Sequence, residues 1–325
     1  MMSIARLWGD TRVAGKMIMM SSEDRRAFEA LELRIRTILP EEYQDSYEEV
    51  EPVSMGTAGL KYGRDGKVAW HDMWDSFCDL AMAGGPPHKG RLLMAASRGE
   101  IDGAPERYGQ VVEEICRGIR LVTELVAVPS VPGWIRVECA NAVTAEWLAR
   151  AIVMENVSAR CEGAALDLPA GPGYRLEKEI KNVITAMAKT CHYWLDHMRA
   201  AHQRMIGDLF VTMTAESPLI QPALAGHDFR ADADQLLRRS MAEGILEATG
   251  LRPLDEPCDG WLGVVCPSAK AAIWMMRAMV VSNVFARRED TVLFVPVNPV
   301  TDPTGDIVVR ATSRVYGFAR VRAVL

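Results

Sequence analysis

Apolar and polar positions alternate along residues 134–139 (WIRVEC), and 261–266 (WLGVVC) has the same strand-like character. Each run leads into a stretch rich in Ala, Met and Trp, 142–155 and 268–282, long enough for a helix. Asn156 and Asn283 stand where those helices should end, because Asn tolerates the left-handed backbone of a helix C-terminus. VSARCEGAALDLPA and VFARREDTVLFVPV follow, each reading as a short hairpin or bent strand. A closing helix is predicted over 176–198 in the first case and 306–324 in the second.

The two patterns are related residue by residue. Residues 133–169 laid over 260–296, at a constant offset of 127 and without a gap, agree at 17 of 37 positions, too many for chance in one ungapped window. The expected fold is therefore α+β, built from internally repeated β-α-β-β-α units packed with pseudo-symmetry, with flanking helices. Two copies are clear. A third, weaker copy is expected at 67–130, from a strand-like 67–70, a helical 73–83, RLLMA at 91–95 and a helix at 107–125. Further helices are predicted at 22–39, opened by Ser21 or Ser22 with Glu23 and Asp24 and stopped by Pro40, at 195–215 as an extension of the closing helix, and at 232–249 before Gly250. The implied organisation is an N-terminal extension at 1–66, units at 67–130, 131–216 and 260–325, and a linker with a helix at 217–259, its loosest part being 217–230.

Length and composition narrow the function classes. At 325 residues, 49% hydrophobic and 25% charged, the chain has ample material for a core and is neither disordered nor fibrous. A net charge of −6, with no Lys/Arg run longer than two, argues against a nucleic-acid partner or a polybasic membrane anchor. No apolar run approaches the ~20 residues of a membrane span, and Asp10, Arg12 and Lys16 interrupt any secretory leader. Seven cysteines without a CxxC read as free thiols packed as small hydrophobes in a reducing cytoplasm.

Chemistry is expected first at matching corners. Asn156 and Arg160 in one copy, Asn283 and Arg287 in the other, would line one cleft if the units face each other, and two guanidiniums with amide donors suit a carboxylate or phosphate. The same residues also read as helix caps and solvated strand charges. Arg150 and Arg277 interrupt apolar helical runs and call for an anionic partner, an internal ion pair being the simpler account. Residues 83–91 hold three glycines, two prolines, His88, Lys89 and Arg91. His88 is the candidate acid/base, while Lys89 and Arg91 are candidate anion ligands. The glycine-rich turn before Arg175, Lys178 and Lys181 offers free N–H groups, although Glu177 and Glu179 can satisfy that helix start themselves.

His192 and Asp196, four apart, share a helix face and are the weak metal candidates; His197 and His202 should rotate away on an α-helix. His71, Asp72, Asp75 and Cys78 offer a lesser cation option. No nucleophile elbow, phosphate loop or dinucleotide fingerprint occurs, which weighs towards non-redox chemistry and leaves the cofactor unknown. The expectation is a cytoplasmic enzyme or binding protein for a small anionic metabolite. The alternative is a non-catalytic scaffold or accessory subunit that docks a partner enzyme or assists cofactor assembly, for which eight Trp and 18 Met supply adaptable apolar surface; a protein partner or a homo-oligomer is the matching expectation.

Overall fold

The computed structural model describes residues 21–41, 44, 59–72, 90–223, 232–256, 258–322 and 325. Helix α1 (Ser22–Ile38) starts where the Ser21 hydroxyl accepts the Asp24 N–H at 3.0 Å, and it buries Leu31, Ile35 and Ile38 on one face. Two helices, α2 (Arg98–Gly103) and α3 (Pro105–Thr123), then lead to the first sheet.

That sheet consists of β1 (Ala127–Pro129), β2 (Trp134–Glu138), β3 (Arg160–Glu162) and β4 (Ala165–Pro169), antiparallel throughout in the order β1-β2-β4-β3. Helix α4 (Ala142–Met154) connects β2 to β3 and packs on the sheet. The predicted closing helix is present but broken into three: a π turn at Leu176–Ile180, helix α5 (Lys181–His192) and a second π turn at Tyr193–His197. The chain then extends at Met198 and begins a separate helix, α6 (Ala200–Glu216), so 195–215 does not prolong the closing helix.

Helix α7 (Asp232–Thr249) precedes the second sheet, with strands β5 (Arg252–Pro253), β6 (Trp261–Val265), β7 (Arg287–Glu289) and β8 (Val292–Pro296) in the order β5-β6-β8-β7. Helix α8 (Ala269–Val280) links β6 to β7, and α9 (Asp306–Val321) closes the chain. The protein is thus α+β with two four-stranded antiparallel sheets.

Corresponding positions in the two halves share local structure. Trp134 pairs with Pro169 and Trp261 with Pro296. Asn141 caps α4 and Ser268 caps α8. Asn156 and Asn283 both have positive φ, at 57° and 64°, as do the hairpin residues Gly163 and Asp290. The likeness extends upstream of the aligned window: Leu93 bridges Val157, and Ile220 bridges Val284, both in parallel. Each helix before a sheet ends in a threonine hydroxyl that accepts an N–H two residues on, Thr123 from Leu125 and Thr249 from Leu251. In both halves the closing helix packs between the helix before the sheet and the helix inside it.

Of the expected third copy, 73–83 lies outside the described residues, its 91–95 segment bridges the middle unit through Leu93, and its last helix is α3. The expected linker is packed at its start, where Ile220 is fully buried, and 224–230 lies outside the described residues. Buried apolar side chains from α1 and both halves form one continuous cluster. No helix among the described residues is long and apolar enough to cross a membrane.

Candidate functional site

The two asparagine corners meet the opposite half. Asn156 must adopt left-handed backbone to end α4 and turn into β3, and this directs its amide across the seam between halves. Its Nδ2 donates to the Arg288 carbonyl at 2.6 Å, and its Oδ1 accepts from Arg287 Nη1 at 3.2 Å. Asn283 does the same work in the other half: its Oδ1 accepts from Arg150 Nη2 at 2.6 Å, and its Nδ2 donates to the Ser217 carbonyl at 2.7 Å. Both asparagines are buried.

Arg287 is wholly buried. It donates to Glu289 Oε1 at 2.6 Å and to Cys258 Sγ at 3.3 Å, and its guanidinium lies 3.8 Å from the Phe294 ring centre. Glu289 Oε1 also accepts the Leu92 N–H at 3.2 Å, and the Leu93 N–H donates to the Asn156 carbonyl at 2.8 Å. The segment after His88 and Lys89 therefore runs directly beside the Asn156–Arg287 pair. Arg91 is exposed on it, whereas His88 and Lys89 lie outside the described residues.

Arg150 is held by Glu146 at 2.5 Å, the Val280 carbonyl at 2.6 Å and Asn283, and sits over Phe210. Burial pushes its pKa down, and Glu146 opposes that shift. The internal ion pair expected of Arg150 is present, with Glu146 as the carboxylate; Arg277 is only half-buried.

Arg160 differs from its counterpart Arg287. It faces Asp167 across the β3–β4 pairing, but Asp167 already receives two hydrogen bonds from Arg136, at 2.8 and 3.0 Å. Arg160 is 7% exposed, its Nε is buried without a hydrogen-bond partner, and it makes no hydrogen bond or ion pair among the described residues. Buried Nε atoms without partners recur at Arg150, Arg287 and Arg288. Four guanidiniums are thus buried, those of Arg150, Arg287 and Arg288 on or beside the seam and that of Arg160 on β3, and Glu146 and Glu289 are the carboxylates bonded to them among the described residues.

Of the predicted corner residues, then, Asn156 joins Arg287, Asn283 joins Arg150 and Arg91 flanks the first pair, whereas no hydrogen bond among the described residues joins Arg160, four residues after Asn156, to the other corners. The buried corners spend their polar groups on each other, and this was not visible in the spacing. Sequence reasoning also passed over a groove of about 580 Å³ between the start of α4 and α6, lined by Asn141, Val143, Trp194, Gln203, Met205 and Asp208 among others.

The glycine-rich turn before the first π segment is satisfied internally: Glu179 accepts the Arg175 N–H at 2.9 Å and its guanidinium at 2.8 Å, and these bonds hold the Glu179 carboxyl down to about 2. The buried thiols behave as expected of small hydrophobes. Burial raises Cys139 and Cys161 to about 12, keeping both protonated.

His192 and His197 are brought together after all. Hydrogen bonding from i to i+5 in the second π turn widens that turn and swings His197 back over His192. The two Nε2 atoms are 3.0 Å apart, while Asp196 Oδ2 lies 2.6 Å from His192 Nδ1. His202 is elsewhere, buried against the Thr37 carbonyl. His71 and Asp72 are exposed, and Asp75 and Cys78 lie outside the described residues. Among the described residues no group of three His, Cys, Asp or Glu is arranged to hold a metal ion. No protein-family model, curated protein or solved structure matches this chain.

Proposed function

We propose that the chain is a small-molecule enzyme or binding protein that recognises an anion at the seam between two duplicated, pseudo-symmetric units. The observation that carries this reading is Arg160: a guanidinium 7% exposed, its Nε buried without a partner, opposite an Asp167 that is already engaged by Arg136. An unpaired buried cation is costly, so a carboxylate or phosphate that satisfied it would bind with a large electrostatic gain. Of three more buried guanidiniums near the seam, those of Arg150 and Arg287 are paired with Glu146 and Glu289, Arg288 has no carboxylate bonded to it among the described residues, and Arg91 supplies an exposed cation on the segment that borders the seam. In this reading His88, three residues before Arg91, is the acid or base, and Lys89 assists anion capture.

The duplication itself is supported by the shared caps, positive-φ corners and parallel bridges 127 residues apart. Those bridges begin at Leu93 and Ile220, which would start the two units near residues 90 and 217. They would then leave 67–89 outside either unit.

Thermal unfolding scans with a panel of dicarboxylates and phosphates test the anion site. At least one should raise the midpoint in the wild type, and the shift should vanish in Arg160→Gln, in which the charge is gone and the stem remains. A panel that stabilises neither protein, or both equally, would sink the reading. The alternative, a docking scaffold, draws support from Leu195, Met205 and Val211, all apolar and exposed on the second π turn and α6 near the groove. It predicts anion-insensitive stability together with self-association or partner capture that Val211→Lys abolishes.

A further inference from the structure

We propose that His192 and His197 form a two-nitrogen site for a tetragonal divalent metal ion, copper(II) above all, through their Nε2 atoms, with Asp196 acting on His192 from outside the coordination shell. The π turn sets this geometry. It carries His197 over His192 and leaves the two Nε2 atoms 3.0 Å apart.

The spacing discriminates among metals. Two nitrogens each ~2.05 Å from one ion are about 2.9 Å apart at a right angle and about 3.3 Å apart at the tetrahedral angle. The observed separation matches neighbouring corners of a square-planar or octahedral ion better than the tetrahedron that zinc favours. Imidazole suits copper(II) and nickel(II), and copper(II) binds the more tightly of the two to a given nitrogen set.

Asp196 has the second role that such sites use. With its carboxylate 2.6 Å from Nδ1, the His192 proton sits on Nδ1 and the Nε2 lone pair is presented outward. His197 then carries its own proton on Nδ1 when metal is bound, in place of the Nε2–H that bridges the rings without it. The His192 side chain keeps 19% exposure and Asp196 64%, so an ion can reach the pair, and water or a substrate atom fills the remaining coordination positions. The site is independent of Arg160 and of the anion reading.

The test is a copper(II) titration of full-length protein without a histidine tag, in the presence of glycine as a competing chelator, read by calorimetry and by electron spin echo spectroscopy. One ion per chain should bind with two imidazoles coupled to the copper. His192→Gln and His197→Gln should each abolish that binding, Asp196→Asn should weaken it by roughly 10–100-fold, and His71→Gln should leave it unchanged. The echo count on the wild type answers even if a variant fails to fold. Fewer than two coupled imidazoles, no binding in competition with glycine, or equal binding by folded His192→Gln would overturn the proposal.

Discussion

Asn156 and Asn283 show how one residue type can serve two constraints. The first is local: each must take positive φ to end a helix, and Asn does so at less cost than most residues with a side chain. The second is remote, since each amide then bonds groups in the opposite half. Only the first was legible in the sequence, because left-handed backbone has a residue signature and a partner over 100 positions away has none. The two roles can be separated. Asn156→Gly keeps the backbone freedom and loses the bonds to Arg288 and Arg287, and equilibrium denaturation should show a loss of about 1–3 kcal/mol. If only the cap mattered, the loss would be a few tenths. Glu179 gives a pH-resolved counterpart. Its folded pKa is held near 2, below the ordinary value of 4.5, so its stabilising contribution is complete above about pH 4.5 and is lost as the pH falls towards 2. Glu179→Gln should therefore be less stable than the wild type at pH 7, and the gap should close between pH 4.5 and 2. A gap independent of pH would point to lost packing instead.

At the scale of elements, the hydrophobic pattern placed strands β2 and β6 and the helices 22–38 and 232–249 to within a residue, because amphipathic period and caps are local. It gave no sign of the short strands β1 and β5, and the strand expected at 67–70 is only a bridge at Val68. The closing helix of the first half was misread where it mattered most. Apolar spacing alone does not report a π turn, and the inserted residue realigned His192 with His197. The edge strands add a second element-level device. In a hairpin closed by Glu162 and Ala165, Cys161 points its N–H and carbonyl outward, where an unpaired strand edge invites aggregation. The Gln221 side chain meets both, accepting at 3.0 Å and donating at 2.9 Å. On β7, Asn156 covers the outward carbonyl of Arg288. Gln221→Ala should cost about 1–3 kcal/mol and raise the rate of aggregation on heating, measured by light scattering; unchanged aggregation would mean that the edge is guarded otherwise. Helix packing has its own sensitive point. A Cβ on Gly118 of α3 would lie 2.2 Å from Ile184 Cδ1 on α5. Gly118→Val should destabilise by more than ~2 kcal/mol, whereas Gly118→Ala combined with Ile184→Val, which removes that Cδ1, should recover most of the single-variant loss.

At the scale of the molecule, helix α1 and the seam make the two halves mutually dependent. Trp147 and Trp274, 127 positions apart, both donate their indole N–H to α1, to the Ile38 carbonyl at 2.9 Å and to Glu32 Oε1 at 3.1 Å. Arg322, at the end of α9, pairs with the same Glu32. One N-terminal helix thus clasps equivalent points of both halves, and Arg34 ties it to Glu216 at the end of α6. The buried cations act in the same direction. Arg150 belongs to the first half, yet its hydrogen bonds to Val280 and Asn283 lie in the second; Arg287 belongs to the second, and Asn156 reaches it from the first. Separating the halves would leave those groups with broken networks in largely apolar surroundings, a penalty that neither half can relieve alone. Fragments 1–223 and 232–325, produced by a cut within the intervening segment, should therefore associate when co-expressed and unfold in one transition. Fragment 232–325 alone should bind a hydrophobic dye and lack a cooperative melt. Replacing Arg150 by Ala in the first fragment should weaken the association at least tenfold, about 1.4 kcal/mol, by removing three hydrogen bonds, of which two cross the seam. Two fragments that each melt cooperatively without the other would show that the seam merely joins independent domains, and the buried arginines would then need a different explanation.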